Sequence, residues 1–593
     1  MSFFRVFLAS FFGVITAFLL LFVVFLFVLG ALSAFVSFSS KDTTSSIDDN
    51  SVLSLNLNKV IRDRTSPIEE ELMDILGLDF GQVGLNKITD AIERARDDDR
   101  IKGLVLKSGF PQAGWTQIAT VRDALEDFKS SGKFIYAHDE FYTQRGYYLS
   151  SVADTLAVHP MGIFSFKGLV AEVLYYKDIQ DKYGIRMEII RNGRYKSAGE
   201  PYLTNQMSPE NRTQLSELLF DIWNGLREDI AESRNLTENR IDQMANDLEA
   251  GIVQEALALG LIDTLVNKEG FDLLVKEKLG IQQDDSIERV SLNESRSLNR
   301  VRSTNVDHRI AVVYAQGIIL LGDGFEGTIG SRSICKTLRT IKNRKSVKGV
   351  VLRINSPGGS ALASEIIWQC VEDLKEEKPV VVSMGDVAAS GGYYVAAGAH
   401  QIMADPKTIT GSIGVVFSLL NAKDFFDDIG INAQHVTTHD NALDYSPFVG
   451  IQSGFRSVQI KEMDKIYTTF KERVAQGRGM TLDQIEEIAQ GRVWSGKQAL
   501  EIGLVDAFGD LSLAIEKAAE LAELTDYSIT EYPRFESTWE SYFNALQGVY
   551  RSKTSQAPFI DTEMTNRLMD EIDKLKLVQD GPQTVLPFYI QLR

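Results

Sequence analysis

An internal duplication restricts the possible folds of this 593-residue chain more than any other feature of its sequence. Three pairs of similar segments share one offset of 246 residues: 101–115 with 347–361, 146–160 with 392–406, and 183–189 with 429–435. A period of this length is typical of a repeated domain, whereas solenoid repeats have periods of about 20–50 residues. We therefore predict two copies of one domain at 45–300 and 301–535, preceded by a segment at 1–44 and followed by a tail at 536–593.

Each copy alternates between two kinds of segment. Short β-branched runs, such as GLVLK at 103–107 and GVVLRI at 349–354, are typical of parallel strands that are buried on both faces. Helical segments such as 116–132 lie between these runs. This strand–helix–strand repetition predicts an α/β fold in each copy, and such folds carry their chemistry in the loops that follow the strands.

Those loops differ between the two copies. The second copy has small residues in three of them: Gly358 and Gly359 in NSPGGS, Ser390 in GDVAASGGYY, and Ser412 in TGSIG. The corresponding residues of the first copy are Gln112, Ala113, Gln144 and Phe166. Conversely, Lys196 in GRYKSAGEP belongs to the first copy, and its counterpart in the second copy is Ala442. Because neither copy has both the loop serines and this lysine, the pattern predicts one composite site.

A serine hydroxyl is a weak nucleophile that needs a base to accept its proton. Histidine is the most common base, but the six histidines show no arrangement typical of a Ser-His-Asp triad, and His400 is expected to be structural. Lysine can serve instead when it is neutral, which requires burial away from carboxylates to lower a pKa that is ordinarily about 10.4. The N–H groups of a glycine pair can stabilise an oxyanion, because no side chain blocks the approach of a carbonyl oxygen.

Taken together, SPGGS, GDVAASGGYY, TGSIGV and GRYKSAGEP resemble the motifs of the signal peptide peptidase SppA family (protease IV), in its long form with two tandem domains. The resemblance covers nearly all of 45–535 and leaves the tail unmatched. It implies a ClpP/crotonase-like fold in both copies and a Ser-Lys dyad that uses no metal and no cofactor. The roles that it implies are nucleophile for Ser390, general base for Lys196, lysine-orienting group for Ser412, and oxyanion hole for Gly359 together with Gly358 or Gly391.

The same resemblance implies a membrane-anchored serine endopeptidase that degrades remnant signal peptides and other hydrophobic, extended peptides through an acyl-enzyme. It also implies a bowl-shaped homotetramer with the active sites inside. Two alternatives stay open, a crotonase-like enzyme that acts on acyl-CoA and a non-catalytic membrane scaffold. A location outside the cytoplasm, where CoA is not expected, counts against the first alternative, and the intact motifs count against the second.

The N-terminal segment has no charged residue from Val6 to Phe38, which is long enough to cross a bilayer as a helix. The apolar core of a cleavable signal peptide is usually only about 7–15 residues long. Although Ala31-Leu32-Ser33 is compatible with cleavage, we expect the segment to be retained as an anchor. Arg5 precedes the segment, which places the N-terminus in the cytoplasm. For a bacterium, this predicts an inner-membrane protein with its catalytic domains on the periplasmic side.

Charge and cysteine content exclude further classes. The net charge of −19 argues against a nucleic-acid partner, because phosphate binding needs a basic surface. Cys335 and Cys370 are the only cysteines, and two cysteines provide no disulfide framework. We expect each of them to be a small buried hydrophobic residue. Asp386 and Arg353 are interpreted as structural.

Overall fold

The computed structural model describes residues 47–65, 81–298, 307–325 and 327–534, together with positions 13 and 20 and the backbone of 583–585. The membrane-spanning segment predicted at 6–38 therefore lies outside the described residues, apart from those two positions, and so does most of the tail. Within the part of the chain that the structure describes, no helix is long and apolar enough to cross a bilayer.

The first copy alternates strands and helices as the sequence predicts. Its strands are β1 (Ser51–Asn56), β2 (Val60–Arg62), β3 (Gln82–Gly84), β4 (Ile101–Lys107), β5 (Phe134–Tyr142), β6 (Thr155–Phe164), β7 (Arg186–Asn192), β8 (Thr264–Leu265) and β9 (Arg289–Val290). Its helices are α1 (Leu85–Asp97), α2 (Trp115–Ser130), α3 (Gln144–Ser150), α4 (Lys177–Tyr183), α5 (Glu200–Leu203), α6 (Pro209–Ser233), α7 (Glu238–Asn246), α8 (Val253–Ala258) and α9 (Lys268–Leu279).

A parallel sheet forms the centre of this copy, with the strand order β8-β6-β5-β4-β1-β9. Its strands are buried along most of their length, which is the reason for their continuous apolar runs. Helix α1 buries Ile88, Ile92 and Ala95, which recur at the spacing of one helical face. Local sequence pattern therefore accounts for both the strands and the helices of this layer.

The second copy repeats the arrangement. Its strands are β10 (Arg309–Gln316), β11 (Ile318–Leu320), β12 (Thr328–Gly330), β13 (Val347–Ser356), β14 (Gly358–Ser360), β15 (Val380–Ala389), β16 (Gln401–Ala404), β17 (Ile409–Gly411), β18 (Val415–Asn421), β19 (Tyr445–Ser446), β20 (Gly450–Ile451), β21 (Val493–Ser495), β22 (Ala507–Phe508) and β23 (Ser528–Tyr532), and the tail adds β24 (Gln583–Val585). Its helices are α10 (Ser331–Lys342), α11 (Ala361–Lys375), α12 (Gly391–Ala396), α13 (Lys423–Asp428), α14 (Ser453–Arg478), α15 (Leu482–Ile488), α16 (Gly496–Glu501) and α17 (Leu511–Leu521).

The central sheet of the second copy has the order β21-β17-β15-β13-β10-β23, and β16 pairs with β15 on one side and with β22 on the other. Strands β10, β13 and β15 pair in parallel, as β1, β4 and β5 do in the first copy. The pairing of β17 with β21 is antiparallel, so the sheet is mixed rather than purely parallel. The α/β fold predicted for both copies is confirmed in this form.

A third sheet joins the two copies. Its order is β12-β11-β14-β24-β18-β7, and β7 is contributed by the first copy. Strand β7 pairs antiparallel with β18 over seven residue pairs, from Val415↔Asn192 to Asn421↔Arg186. This pairing holds the segment that follows β7 against the second copy, and that segment contains Lys196.

The cysteines correct one expectation. Cys335 on α10 and Cys370 on α11 form a disulfide, with their Cα atoms 5.6 Å apart. Both side chains are buried, as predicted, but they are not separate hydrophobic residues. Helices α10 and α11 pack side by side, and this packing brings together two cysteines that lie 35 residues apart in the sequence. Cysteine spacing alone does not reveal such a pairing.

Candidate active site

Lys196 and Ser390 meet at the junction of the two copies, although they lie 194 residues apart in the sequence. The Nζ atom of Lys196 is 2.9 Å from the Oγ atom of Ser390 and 2.9 Å from the Oγ atom of Ser412. It also donates a hydrogen bond of 3.1 Å to the carbonyl oxygen of Ser412. The duplication offset thus identified three residues that the fold brings together at one point.

Burial is the main physical influence on this cluster. Lys196, Ser390 and Ser412 are each 0% exposed. This burial lowers the pKa of the Lys196 amine well below its usual value, because the charged ammonium loses its hydration. Among the described residues, the acceptors of Nζ are oxygen atoms of the two serines, and none of them belongs to a carboxylate. A neutral amine hydrogen-bonded to a serine hydroxyl can accept the hydroxyl proton.

The backbone around Lys196 is fixed by the second copy. The N–H of Tyr195 donates to the carbonyl oxygen of Gln490, at 2.9 Å. Gly491 packs so closely that a Cβ atom there would lie 2.6 Å from the Cβ of Lys196, and its φ of +75° also favours glycine. Arg191 of β7 donates to the Lys196 carbonyl oxygen, at 3.0 Å. Contacts from both copies therefore set the direction of the lysine side chain.

Ser390 occupies a sharp turn between β15 and α12, with φ +53° and ψ −116°. A positive φ is uncommon for a residue other than glycine and is typical of strained backbone at functional sites. The turn resembles a nucleophile elbow, which the sequence did not predict because Ala388 stands where the G-x-S-x-G motif has glycine. The second glycine position of that motif is retained, and a Cβ at Gly392 would lie 2.8 Å from the carbonyl oxygen of Ser356.

Ser412 follows β17 and also has a positive φ, of +53°. Its N–H donates to the carbonyl oxygen of Arg492, and this hydrogen bond fixes the loop. Both of its oxygen atoms then face Nζ. Ser412 is therefore placed to orient the lysine amine towards Ser390.

The three glycines predicted near the oxyanion lie beside Ser390 but in different settings. Gly358 has φ +102°, and its N–H donates to Ser356 Oγ at 3.1 Å. A Cβ at Gly359 would lie 2.1 Å from the carbonyl oxygen of Ile319, so only glycine fits there. Gly391 is the first residue of α12, and first-turn N–H groups have no acceptor within their own helix. The N–H of Gly358 is thus engaged within its own loop.

A backbone strand lies in the groove beside these glycines. Strand β24 pairs antiparallel with β14, where Gly359 is opposite Thr584, and antiparallel with β18, where Val416 is opposite Gln583. The groove between β14 and β18 thus has the width and the hydrogen-bonding edges of a site for one extended peptide. This strand was not predictable, because the tail has no recognisable motif.

In the first copy, Gln144 and Phe166 occupy the positions that correspond to Ser390 and Ser412. Gln144 accepts the N–H groups of Lys167 and Gly168 through its Oε1 atom, at 2.9 Å each. The ring of Phe166 packs against Tyr147 in the place that corresponds to Ser412.

His400 is structural, since its Nδ1 atom accepts the N–H of Val380 at 3.1 Å.

Comparison with known proteins identifies the family to which the chain belongs. The sequence profile of peptidase family S49 matches residues 127–281 and 372–525, one segment in each copy. Protease 4 of Haemophilus influenzae is 35% identical over 516 residues, which cover 84% of each chain. Protease 4 of Salmonella typhi is 32% identical over 84% of this chain and 83% of its own. The chloroplastic serine protease SPPA of Arabidopsis thaliana is 32% identical over 78% of this chain and 69% of its own. With a match in each copy and relatives that are similar along most of their length, the chain is a member of peptidase family S49.

Proposed function

We propose that this serine peptidase is a membrane-anchored endopeptidase in which Ser390 is the nucleophile and Lys196 is the general base. The observation that carries the proposal is the 2.9 Å distance between Lys196 Nζ and Ser390 Oγ, in a site where both residues are fully buried. This distance lies within the hydrogen-bond range that proton transfer requires. Ser412 would orient the amine through its two contacts with Nζ.

The reaction would proceed through an acyl-enzyme. Ser390 Oγ attacks a peptide carbonyl carbon while its proton moves to Nζ of Lys196, and the carbonyl electrons move to the oxyanion. The backbone N–H of Gly359, together with that of Gly358 or Gly391, would line the oxyanion hole, and the N–H of Gly358 donates to Ser356 Oγ in the structure. The C–N bond then breaks as the leaving amine takes the proton from Nζ. Water attacks the ester, gives a proton to Nζ, and the proton returns to Oγ when the acid product leaves.

Extended, apolar peptides would be the substrates. Strand β24 already lies between β14 and β18 as an added strand, which is the conformation that a substrate peptide would adopt. Remnant signal peptides, which the family resemblance implies as substrates, are apolar and can adopt this extended conformation.

The proposed location is the bacterial inner membrane, with the catalytic copies on the periplasmic side. The uncharged segment at 6–38 would provide the anchor. The Cys335–Cys370 disulfide supports this location, because disulfides persist in oxidising compartments such as the periplasm and are rare in the cytoplasm.

The duplication also supports a ring-shaped homo-oligomer. Strand β7 (186–192) of the first copy pairs with β18 (415–421) of the second. By the 246-residue offset, the counterparts of these two strands are 432–438, which is exposed in the single chain, and 169–175, where half-buried and exposed residues alternate. Pairing of 432–438 in one subunit with 169–175 in the next would repeat the internal contact between subunits. Such a head-to-tail contact closes into a ring when the rotation permits, and we propose it as the subunit contact of the homotetramer that the family resemblance implies.

The test of the dyad uses the full-length protein in detergent and a fluorogenic, leucine-rich peptide. Ser390→Ala and Lys196→Ala should each lower kcat/KM by about 10³-fold or more, because removal of either member of a nucleophile–base pair abolishes most of its effect. Gln144→Ala is the matched control, since Gln144 is the counterpart of Ser390 in the first copy, and it should retain activity. Full activity in Lys196→Ala would rule out the dyad, and a wild-type protein that binds such peptides without cleaving them would indicate a scaffold.

A further inference from the structure

Asp386, four residues before the nucleophile, binds a helix of the other copy. Its Oδ1 atom accepts the N–H groups of Thr116 and Gln117, at 2.9 Å and 3.2 Å. These are the second and third residues of α2, whose first-turn N–H groups have no acceptor within the helix. The carboxylate therefore caps α2 from across the junction between the copies, where it also meets the favourable end of the helix dipole.

Comparison of the two copies shows that the counterpart of α2 is capped by a residue of its own copy. Helix α11 is the counterpart of α2 in the second copy, and its own N-cap residue Ser360 accepts the N–H of Ala363 at 3.3 Å. The counterpart of Ser360 is Gly114, which has no side chain to cap α2. A Cβ atom at Gly114 would lie 2.0 Å from the Asp386 carboxyl carbon. Helix α2 therefore has no capping side chain from its own copy, and the Asp386 carboxylate of the second copy occupies the space beside Gly114.

The position of Asp386 in β15 connects this contact to the nucleophile. Strand β15 pairs with β13 at Ile354↔Met384 and next at Ser356↔Ala388, so three residues of β15 stand opposite one residue of β13. Asp386 is the middle residue of this bulge. Before the bulge β15 pairs with β16, and after it β15 pairs with β17 and ends at Ala389, directly before Ser390. Bulges of this kind redirect a strand and its side chains next to active sites.

A second buried pair lies beside the bulge and involves the same two copies. Arg353 of β13 donates to the Asp63 carboxylate of the first copy at 3.1 Å, and each side chain is 2% exposed. Arg353 also donates to the carbonyl oxygen of Met384, at 2.7 Å, immediately before the bulge. Asp63 in turn accepts from the side chain of Gln117, at 3.3 Å. The start of α2 is therefore attached to both ends of one short stretch of β15.

From these contacts we propose that Asp386 is a positioning residue for peptide cleavage. By binding the start of α2, it fixes the bulge of β15 and so holds Ser390 at the correct distance from Lys196, which belongs to the α2-bearing copy. The inference rests on the proposed dyad, and it adds a link between the two copies that controls the alignment of that dyad. A displacement of about 1 Å between reacting groups is enough to lower a rate about 100-fold.

The experiment distinguishes a role of Asp386 in positioning Ser390 from a role in capping α2 alone. Asp386→Ala in the full-length protein should lower kcat about 10- to 100-fold with KM changed less than about twofold, because the peptide groove between β14 and β18 is untouched. Burial, and next the nearby Asp63 carboxylate, raise the pKa of Asp386 to about 6. Since a neutral acceptor can therefore occupy this place, Asp386→Asn should retain most of the wild-type kcat.

The decisive variant is the double substitution Gly114→Ser with Asp386→Ala. It gives α2 the kind of cap that Ser360 gives α11, so Tm should return towards the wild-type value while kcat stays low. Recovery of kcat together with Tm would overturn the proposal, because Asp386 would then be only a cap. A wild-type kcat in the single variant Asp386→Ala would overturn it as well.

Two further variants serve as controls for stability and folding. Asp510→Ala removes the cap of α17, where Asp510 accepts the N–H of Leu513 at 2.9 Å within a single copy, and it should lower Tm without changing kcat. If Asp386→Ala does not fold, Gly114→Ala displaces the same carboxylate from the first copy and should show the same loss of kcat. Failure of the dyad itself would appear separately, as activity in Ser390→Ala.

Discussion

At the scale of single residues, Lys196 links the fold to a measurable pH dependence. Burial lowers its pKa, so between this lowered pKa and the usual lysine pKa of about 10.4 the unfolded chain binds a proton that the folded chain does not. The folded state is then stabilised as pH rises towards 10.4, because stability increases with pH wherever the unfolded state binds more protons. Cleavage should also increase with pH through the lowered pKa, since only the neutral amine accepts the Ser390 proton.

Lys196→Met isolates this contribution. Methionine has similar length and no proton to lose, so the wild-type Tm should rise relative to the Tm of the variant as pH increases from the lowered pKa of Lys196 towards about 10.4. Thermal unfolding of both proteins across this range measures the difference. Lys517→Met, at a partly exposed lysine on α17, is the control for the loss of a lysine outside the active site. A Tm difference between the wild type and Lys196→Met that does not change with pH would contradict a lysine that is buried and neutral in the folded state.

Residue identities were predictable from the sequence where the duplication supplied a comparison. Lys196, Ser390 and Ser412 stood out because each has an unrelated residue at the corresponding place in the other copy. The positive φ values of Ser390 and Ser412 were not predictable, since backbone strain of this kind is imposed by the surrounding tertiary contacts. The role of Asp386 was hidden for a similar reason, because its partners Thr116 and Gln117 lie in the other copy.

At the scale of elements, we expect the tail to compete with the substrate through β24. Its backbone lies between β14 and β18, in the groove proposed for substrate peptides. A segment of the same chain competes at an effective concentration of up to about millimolar. A chain that ends at residue 582 should therefore have a severalfold lower KM for the peptide than the full-length protein, with kcat little changed.

The matched control for that truncation is a chain that ends at residue 585, which keeps β24. It should retain the KM of the full-length protein, and steady-state kinetics of the three proteins give the comparison. An equal KM in all three would show that β24 does not obstruct the groove. This element was beyond prediction from the sequence, because three residues carry no periodicity and their partners lie far away along the chain, in β14 and β18.

At the scale of the whole molecule, the sequence predicted the architecture through two independent signals. Buried parallel strands have continuous apolar runs, which local pattern reveals, and the repeated segments show that this pattern occurs twice. The third sheet, which joins the copies through β7 and β18, left no such signal, since strand pairing between copies is a long-range property. The Cys335–Cys370 disulfide was missed for the same reason.

The ring proposed for the assembled molecule can be tested at its subunit contact. Val436 lies in 432–438, the counterpart of β7, and its side chain is fully exposed in the single chain. If 432–438 pairs with 169–175 of the next subunit, Val436→Asp buries a charge without a partner and should shift the protein from tetramer towards smaller species. Leu273→Asp is the control, because Leu273 is 44% exposed on α9 and outside both segments. Light scattering of the detergent-solubilised proteins gives their masses, and an unchanged mass for Val436→Asp would exclude this contact while leaving the dyad within one chain intact.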